Sequence, residues 1–498
     1  MVSVDQGASF GFNATVTGTS NHSVTWSVQE GVNGGSIDAG TYLAPFSVGT
    51  FHVVATSVAD PSKQAAATVT VPAASLGISP AAATLGPLGV GTFNGQFIGS
   101  VNNGVIWTVI EGPTGGSIDA SGNYVAPPGQ GTYHVQAKSV ADPSLVATAT
   151  ITVVASGFVP TGSMQHSRHG EKAVLLPASG KVLVTGGYLL EPDYYYLSLP
   201  YSELYVPGTT AFQATSDMNQ ARGSHTATLL ADGRVLVTGG FFQASGTPYT
   251  VLSNAEIFTP GTGAFTSTGS LAFTRYSHTA TLLPSGKVLV TGGAGTGMDT
   301  AELWDPSTGS FTPAGTMSTS RQYHSATFLP SIGKVLIVGG LDGEDDFLKS
   351  AELYDPATAT FSPTGDLGTE RLGHTATLLP NGKILITGGM TAAGVITKTT
   401  EIYDPATGTF SPLADMVTER CYHTATLLPS GKMLLAGGLG ADGAPSFTAE
   451  LLDPVANASA AVGSMAQPRS EHTATLLPDG TVLVTGGSFN TKAEIYIP

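Results

Sequence analysis

Seven Gly-Gly pairs punctuate the C-terminal part of this 498-residue chain, at 186/187, 239/240, 292/293, 339/340, 388/389, 437/438 and 486/487. Successive pairs stand 53, 53, 47, 49, 49 and 49 residues apart. Each closes an apolar run such as Lys287-Val288-Leu289-Val290-Thr291, preceded by another such as His278-Thr279-Ala280-Thr281-Leu282-Leu283. Ser285-Gly286, Asn381-Gly382, Ser430-Gly431 and Asp479-Gly480 join these runs, and such dipeptides favour tight hairpins. A third run follows every pair, for example Glu302-Leu303-Trp304 or Glu401-Ile402-Tyr403, and a fourth, such as Phe361-Ser362-Pro363, ends the unit. Four short strands make a sheet that cannot bury its faces alone, so units of this period stack on their neighbours. With 64 Gly and 31 Pro in the chain, helices would break every few positions, and the sequence reads as all-β.

This pattern over residues 156–498 resembles the kelch repeat of β-propellers. The chain ends after the third strand of unit seven, while Phe158-Val159-Pro160-Thr161-Gly162 carries the fourth-strand pattern ahead of unit one. The resemblance therefore implies a seven-bladed kelch propeller over 155–498, closed by a strand at 156–164 that completes blade seven. Upstream lies a duplication. Thr25-Trp26-Ser27-Val28-Gln29-Glu30-Gly31 recurs as Trp107-Thr108-Val109-Ile110-Glu111-Gly112, and Gly34-Gly35-Ser36-Ile37-Asp38 as Gly115-Gly116-Ser117-Ile118-Asp119. These copies resemble bacterial immunoglobulin-like β-sandwiches, at 1–73 and 74–154, each with one buried Trp. Copy two opens with Leu76-Gly77-Ile78-Ser79-Pro80, but Met1 aligns with Ala82, so copy one lacks that first strand. Its open edge is expected either to reflect a shortened chain or to take a strand from a partner, including self-assembly through this edge.

The net charge of −16, from 35 acidic and 19 basic residues, argues against nucleic acid and against an anionic membrane surface. No apolar run reaches the length of a membrane span. Cys421 is the single cysteine, which excludes an intrachain disulfide and a cysteine zinc site. Met1-Val2-Ser3-Val4-Asp5 holds no signal peptide, and an extracellular or cell-surface location implies that one has been removed.

Residues that recur in every unit solve problems every unit has. Six His follow the pattern Arg-x-x-His, from Arg222-x-x-His225 to Arg469-x-x-His472, and are expected to bond between blades. Seven Arg match seven third-strand Glu, which suggests buried ion pairs between blades. The Arg loops of kelch propellers open on the ligand face, so Arg168, Arg275, Arg321 and Arg420 are also candidate ligand contacts. Function is expected where the symmetry breaks. Glu171 replaces the His in unit one, and the long second loop there holds Tyr194, Tyr195, Tyr196 and Tyr201. Unit two adds Phe241, Phe242 and Tyr249, and the Arg loops add Tyr276, Tyr323 and Tyr422. Aromatic rings of this kind are platforms for sugars or anchors for proteins. Asp342-Gly343-Glu344-Asp345-Asp346 is a weak Ca²⁺ candidate through Asp342, Glu344, Asp345 and Asp346, without EF-hand spacing.

Arg420-Cys421-Tyr422-His423 resembles the Tyr-His copper-ligand loop of radical oxidases of the galactose oxidase type. That family also needs a cross-linking Cys on a neighbouring blade and a His from a C-terminal domain, which this chain does not show, so copper-radical chemistry is disfavoured. The expected function is a secreted or cell-surface binding protein that presents its propeller to a glycan or an extracellular protein, with the sandwiches as spacers and no cofactor. Two other readings stay open: a polysaccharide lyase or hydrolase, acting through His166, His169, Glu171, Asp193 or Tyr194–Tyr196, and a subunit of an extracellular fibre or adhesin.

Overall fold

The computed structural model describes residues 1–86, 89–101, 104–190, 196–209 and 211–498. Two compact units result, Met1–Ala155 and Ser156–Pro498. Among the described residues all regular structure is strand apart from two single-turn 3₁₀ segments, Gly31–Gly34 and Gly112–Gly115.

The larger unit holds seven four-stranded antiparallel sheets. Sheet three is typical: Thr279–Leu282, Val288–Thr291, Thr300–Asp305 and Ser310–Thr316 pair in order. The second strands, such as Val288–Thr291 and Ile384–Thr387, are buried throughout apart from the half-buried Lys181 and Lys334 that open two of them, because neighbouring sheets cover both faces. That is why they read as unbroken apolar runs. Seven core clusters each draw side chains from two consecutive sheets; Val174, Leu183, Val235 and Phe258 form the first. The cluster of Met164, Val182, Tyr205, Leu477 and Leu483 joins sheet seven to sheet one. Sheet seven is assembled from both ends of the unit: Gly157–Arg168 pairs with Asn490–Ile497, with Phe158 opposite Tyr496. The result is a closed propeller, held by packing rather than by a covalent link.

The Gly-Gly pairs have a packing cause. A Cβ on Gly437, whose φ is +61°, would lie 2.6 Å from the Arg469 carbonyl and 2.7 Å from His472 Cε1 of the next sheet. Only glycine permits that approach. In the first six pairs the second glycine then donates its N–H across the junction, as Gly438 does to the Arg469 carbonyl at 2.8 Å.

The Arg–Glu pairs differ from expectation in one respect. Six of them lie within one repeat unit: Arg222 Nη2 meets Glu256 Oε1 at 2.9 Å, and both belong to unit two; the seventh joins Arg168, at the end of the sheet-seven strand, to Glu203 of sheet one. Arg222 also donates to the carbonyls of Gly239 and Asn254, and Glu256 accepts the Asn219 and Gln220 amides. Each pair thus fastens the loop arriving from the previous blade to its own sheet.

In the smaller unit, the first copy packs a four-stranded sheet containing Val24–Val28, Gly49–Ser57 and Gln64–Val71 against a three-stranded one around Thr41–Leu43, over a core of Tyr42, Val53, Val69 and Val71. The second copy repeats this and adds a strand pair, Ser75–Ser79 with Asn94–Ile98. Trp26 and Trp107 are only half-buried, on the rim of each core rather than inside it. His52 and His134 bond to Glu30 and Glu111 at 2.7 Å through Nδ1. The His52 hydrogen bonds hold the Glu30 carboxyl below its ordinary value.

Candidate binding site at the channel mouth

The first strands of the seven sheets surround a central cavity of about 310 Å³. Its walls are built in three tiers, set by three consecutive residues in each repeat. The outer tier is Gly170, Ser224, Ser277, Tyr323, Gly373, Tyr422 and Glu471, one residue before each repeat His. All seven have left-handed backbones, with φ between +48° and +63°. Five of them are not glycine, and such a residue in this conformation costs roughly 1 kcal/mol. Backbone bonds link this tier into a collar: Ser277 donates to Ser224, Tyr323 to Ser277, Tyr422 to Gly373, Glu471 to Tyr422 and Gly170 to Glu471, at 2.8–3.2 Å. The strained turn aims each side chain at the opening, so this is the tier where unlike residues give the mouth its chemistry.

The middle tier is the His ring, with Glu171 in the seventh place. His278 Nε2 meets the hydroxyls of Thr226 and Thr238 of the preceding blade at 3.0 and 3.2 Å. His324, His374, His423 and His472 each reach a hydroxyl of the preceding blade at 2.9–3.4 Å. Burial holds these imidazoles neutral, at about 3 for His324, His374 and His472. Blade one breaks both contacts it should make. Lys172 stands where the other blades have Thr or Ser, and both ring nitrogens of His225 lack a hydrogen bond. Glu171, wedged against Gly486, likewise has no partner for either carboxylate oxygen. Burial raises its carboxyl to about 7, against the pull of Arg168, His169 and Lys172. Two buried polar groups without partners thus face one sector of the cavity.

Next to that sector the junction of blades seven and one holds a hydrogen-bonded chain. His169 Nδ1 accepts the Ser488 amide at 3.0 Å, which places the ring proton on Nε2, 3.4 Å from Glu471 Oε2. The Tyr188 hydroxyl donates to the same oxygen at 3.0 Å. Burial raises the Glu471 carboxyl, but these two donors outweigh it and hold the group below its ordinary value. Gly170 makes the room: a Cβ there would meet the Tyr188 ring at 2.8 Å.

The aromatic residues divide. Phe241, buried, contacts Tyr188, Tyr196, Tyr249 and Tyr276 with ring centroids 5.5–6.2 Å apart. Within this cluster Tyr249 is 55% and Tyr196 43% exposed, so the loops pack on each other and still present open rings. Tyr323 and Tyr422 face each other edge to face at 6.2 Å in the collar. Tyr201 instead stacks on His166 at 3.7 Å, and Phe242 makes no ring contact among the described residues. Tyr194, Tyr195 and Asp193 lie outside the described residues.

Arg168, Arg275, Arg321 and Arg420 are not ligand contacts. They are at most 1% exposed, and their guanidinium groups are committed to Glu203, Glu302, Glu352 and Glu450 and to backbone carbonyls. Sequence reasoning missed Glu471, Lys172 and Tyr188. The signal for the first two lay on either side of the repeat His: the residue before it runs from Gly and Ser to Tyr and Glu, and Lys172 alone departs from the Thr or Ser that follows it in the other six units.

Asp342 Oδ1 accepts the Glu344 and Asp346 amides, so it caps its own loop. Among the described residues no group of three or more His, Cys, Asp or Glu is placed to hold a metal, which includes Asp342, Glu344, Asp345 and Asp346. The residues beside Tyr422 do not fit copper either. His423 Nε2 is engaged by Thr387, and Cys421 is buried with its thiol pushed up to about 12.

Residues 333–368 and 371–417 match the Kelch motif. The Ser156–Pro498 fold is a kelch β-propeller. Among solved structures, a fungal alcohol oxidase of the AA5 family in complex with copper aligns with TM-score 0.54 and 21% identity, over 68% of this chain and 75% of that one. The protein YjhT aligns with TM-score 0.48 and 12% identity, over 60% and 99%. No curated protein matches the sequence. At 21% identity the likeness to the alcohol oxidase is one of fold, and the kelch propeller's chemistry must be read from its own mouth.

Proposed function

We propose that this is a secreted or cell-surface binding protein whose kelch propeller presents its channel mouth to a glycan, with residues 1–73 and 74–154 as immunoglobulin-like spacers. One observation carries the reading: the rings of Tyr323 and Tyr422 and the ionisable groups of Lys172 and Glu471 line the same cavity, and the Tyr188 cluster, with the open rings of Tyr196 and Tyr249, adjoins it through the Tyr188–Glu471 hydrogen bond. Tyr196, Tyr249, Tyr323 and Tyr422 offer faces for the C–H surfaces of sugar rings. Tyr188, His169, Glu471 and Lys172 offer donors and acceptors for hydroxyls. A cavity of about 310 Å³ matches the small end of ligand sites. A protein partner would need a far wider patch, about 800 Å² a side.

Glu171 supports a second reading as a polysaccharide-active enzyme, because a buried carboxyl near 7 beside a cavity suits a general acid or base. A glycan array on the full chain, with analysis of the eluted sugars, decides between them. We expect retention of intact glycan, weakened at least tenfold in Tyr422→Ala and Tyr249→Ala. Shortened or unsaturated products would replace binding by catalysis, and no retained glycan at all would remove both.

A further inference from the structure

Blade one lacks hydrogen bonds that the rest of the ring makes, and the groups left over open onto one sector of the central cavity. His278, His324, His374, His423 and His472 each reach a hydroxyl on the first strand of the preceding blade. For His225 that hydroxyl would come from position 172, where Lys172 stands instead. Thr185, the equivalent of the second contact Thr238, bonds Ser202 at 2.8 Å. His225 is 1% exposed with neither ring nitrogen bonded, and Glu171, also 1% exposed, has neither carboxylate oxygen bonded. Buried polar groups without partners are costly, and two of them on one wall of a cavity point to a ligand that supplies the partner.

The unbalanced charge on this wall is positive. The Lys172 side chain lines the cavity and makes no hydrogen bond or ion pair among the described residues. Lys287, Lys334 and Lys383, by contrast, pair with Asp305, Asp355 and Asp404 at 2.9–3.3 Å. The carboxylate of Glu471 is already compensated: Tyr188 donates to it at 3.0 Å, and His169 Nε2 stands 3.4 Å away. Burial lifts the Glu171 carboxyl to about 7, so below neutrality it carries a proton and presents a donor rather than a charge. With the imidazoles neutral, one ammonium is left without a counter-charge.

We propose that this sector is a subsite for one singly charged anionic group, so that the ligand of the channel mouth is an acidic glycan. The subsite stands on Lys172, His225 and Glu171 alone; that a glycan carries the anion rests on the glycan reading of the mouth. Lys172 supplies the charge, and His225, Ser224 and protonated Glu171 supply hydrogen bonds to the anion's oxygens. A single charge fits a sugar carboxylate or a sulfate monoester, whereas the second charge of a phosphate monoester would lie unpaired beside Glu471. Tyr323 and Tyr422, in blades four and six, stand across the ring from blade one. The sugar ring can thus rest on the aromatic collar with its acid group turned to Lys172.

Two variants of the full chain test this. Lys172→Thr restores the hydroxyl that the other blades offer to the next His, so it should raise the melting midpoint while it removes the counter-charge. Lys172→Arg keeps the charge. Calorimetric titration at about pH 6, where Glu171 holds its proton, uses acetate and methyl sulfate, then glucuronate and glucose sulfate against glucose, and the matching galactose set. The parent and Lys172→Arg should bind an acidic sugar at least about tenfold more tightly than its neutral counterpart, and Lys172→Thr should lose that preference. Whether the carboxylate or the sulfate member binds identifies the anion. Equal affinity for acidic and neutral sugars in the parent overturns the subsite and leaves the glycan reading standing. An acid preference that survives in Lys172→Thr places the anion elsewhere and also overturns it. Acetate or methyl sulfate bound by the parent but not by Lys172→Thr, with no sugar bound, would keep the subsite and remove the glycan reading. Failure of every probe at millimolar concentration overturns both.

Discussion

Glu171 sits where six other blades place a neutral imidazole, and its cost depends on pH. The unfolded carboxyl titrates near 4.5 and the folded one near 7. Between these values the folded chain keeps a proton that the unfolded chain has lost, so stability is present below 4.5 and declines as pH rises through 7. Integrated, the loss is about 3 kcal/mol. Glu171→Gln should therefore match the parent at pH 4.5 and exceed it by about 3 kcal/mol at pH 8 in urea unfolding of the propeller. An equal gain at both pH values would mean the carboxyl is not the titrating group. The residue itself was legible, because it breaks the Arg-x-x-His pattern. That its neighbour Lys172 also leaves His225 without a partner was not, since that needs the contact between blades.

At the scale of the element, the loop entering each blade is held by one ion pair and one turn. Arg371 Nη2 meets Glu401 Oε1, and the guanidinium also serves the carbonyls of Gly388 and Thr399. Arg371→Met would leave a buried carboxylate without its cation, which costs about 3–5 kcal/mol. The double variant with Glu401→Leu should recover most of that in thermal unfolding; failure to recover would show that the Arg–carbonyl bonds dominate. Equal numbers of Arg and Glu made the pairing readable, but counting cannot tell partners in one blade from partners in adjacent blades. The turn is a separate test. A Cβ on Gly373, at φ +62°, would press the Tyr422 ring at 3.1 Å. Gly373→Ala should lower stability by roughly 1–2 kcal/mol and weaken glycan retention with it. Retention unchanged would place Tyr422 outside the site.

Over the whole molecule the repeat turns a small preference into a large one. The all-β class and the kelch propeller were legible because packing between sheets forces the same residues into every unit: apolar second strands, paired glycines, a fixed His. The arrangement of the mouth was less so, since the collar's left-handed turns and the Tyr188–Glu471–His169 chain join residues almost 300 positions apart. The fixed His has a consequence that belongs to the ring as a unit. His225, His278, His324, His374, His423 and His472 are all held neutral by burial, well below 6.5. Their contribution is fully present above 6.5 and is lost as pH falls toward 3, because the unfolded chain then binds protons that the folded ring refuses. At pH 5 each imidazole costs about 2 kcal/mol of stability, and six together reach the size of a domain's whole margin. Glu171 pulls the other way, but by about 3 kcal/mol at most. The propeller's melting midpoint should therefore fall steeply between pH 6.5 and 5, with about five protons taken up on unfolding at pH 5, about six by the imidazoles less about one released by Glu171. His278→Gln, which can still reach Thr226, should reduce that uptake by about one. A midpoint that stays level from pH 7 to 5 would mean that the ring accepts protons while folded, and the channel would have to be open to water at the level of the imidazoles.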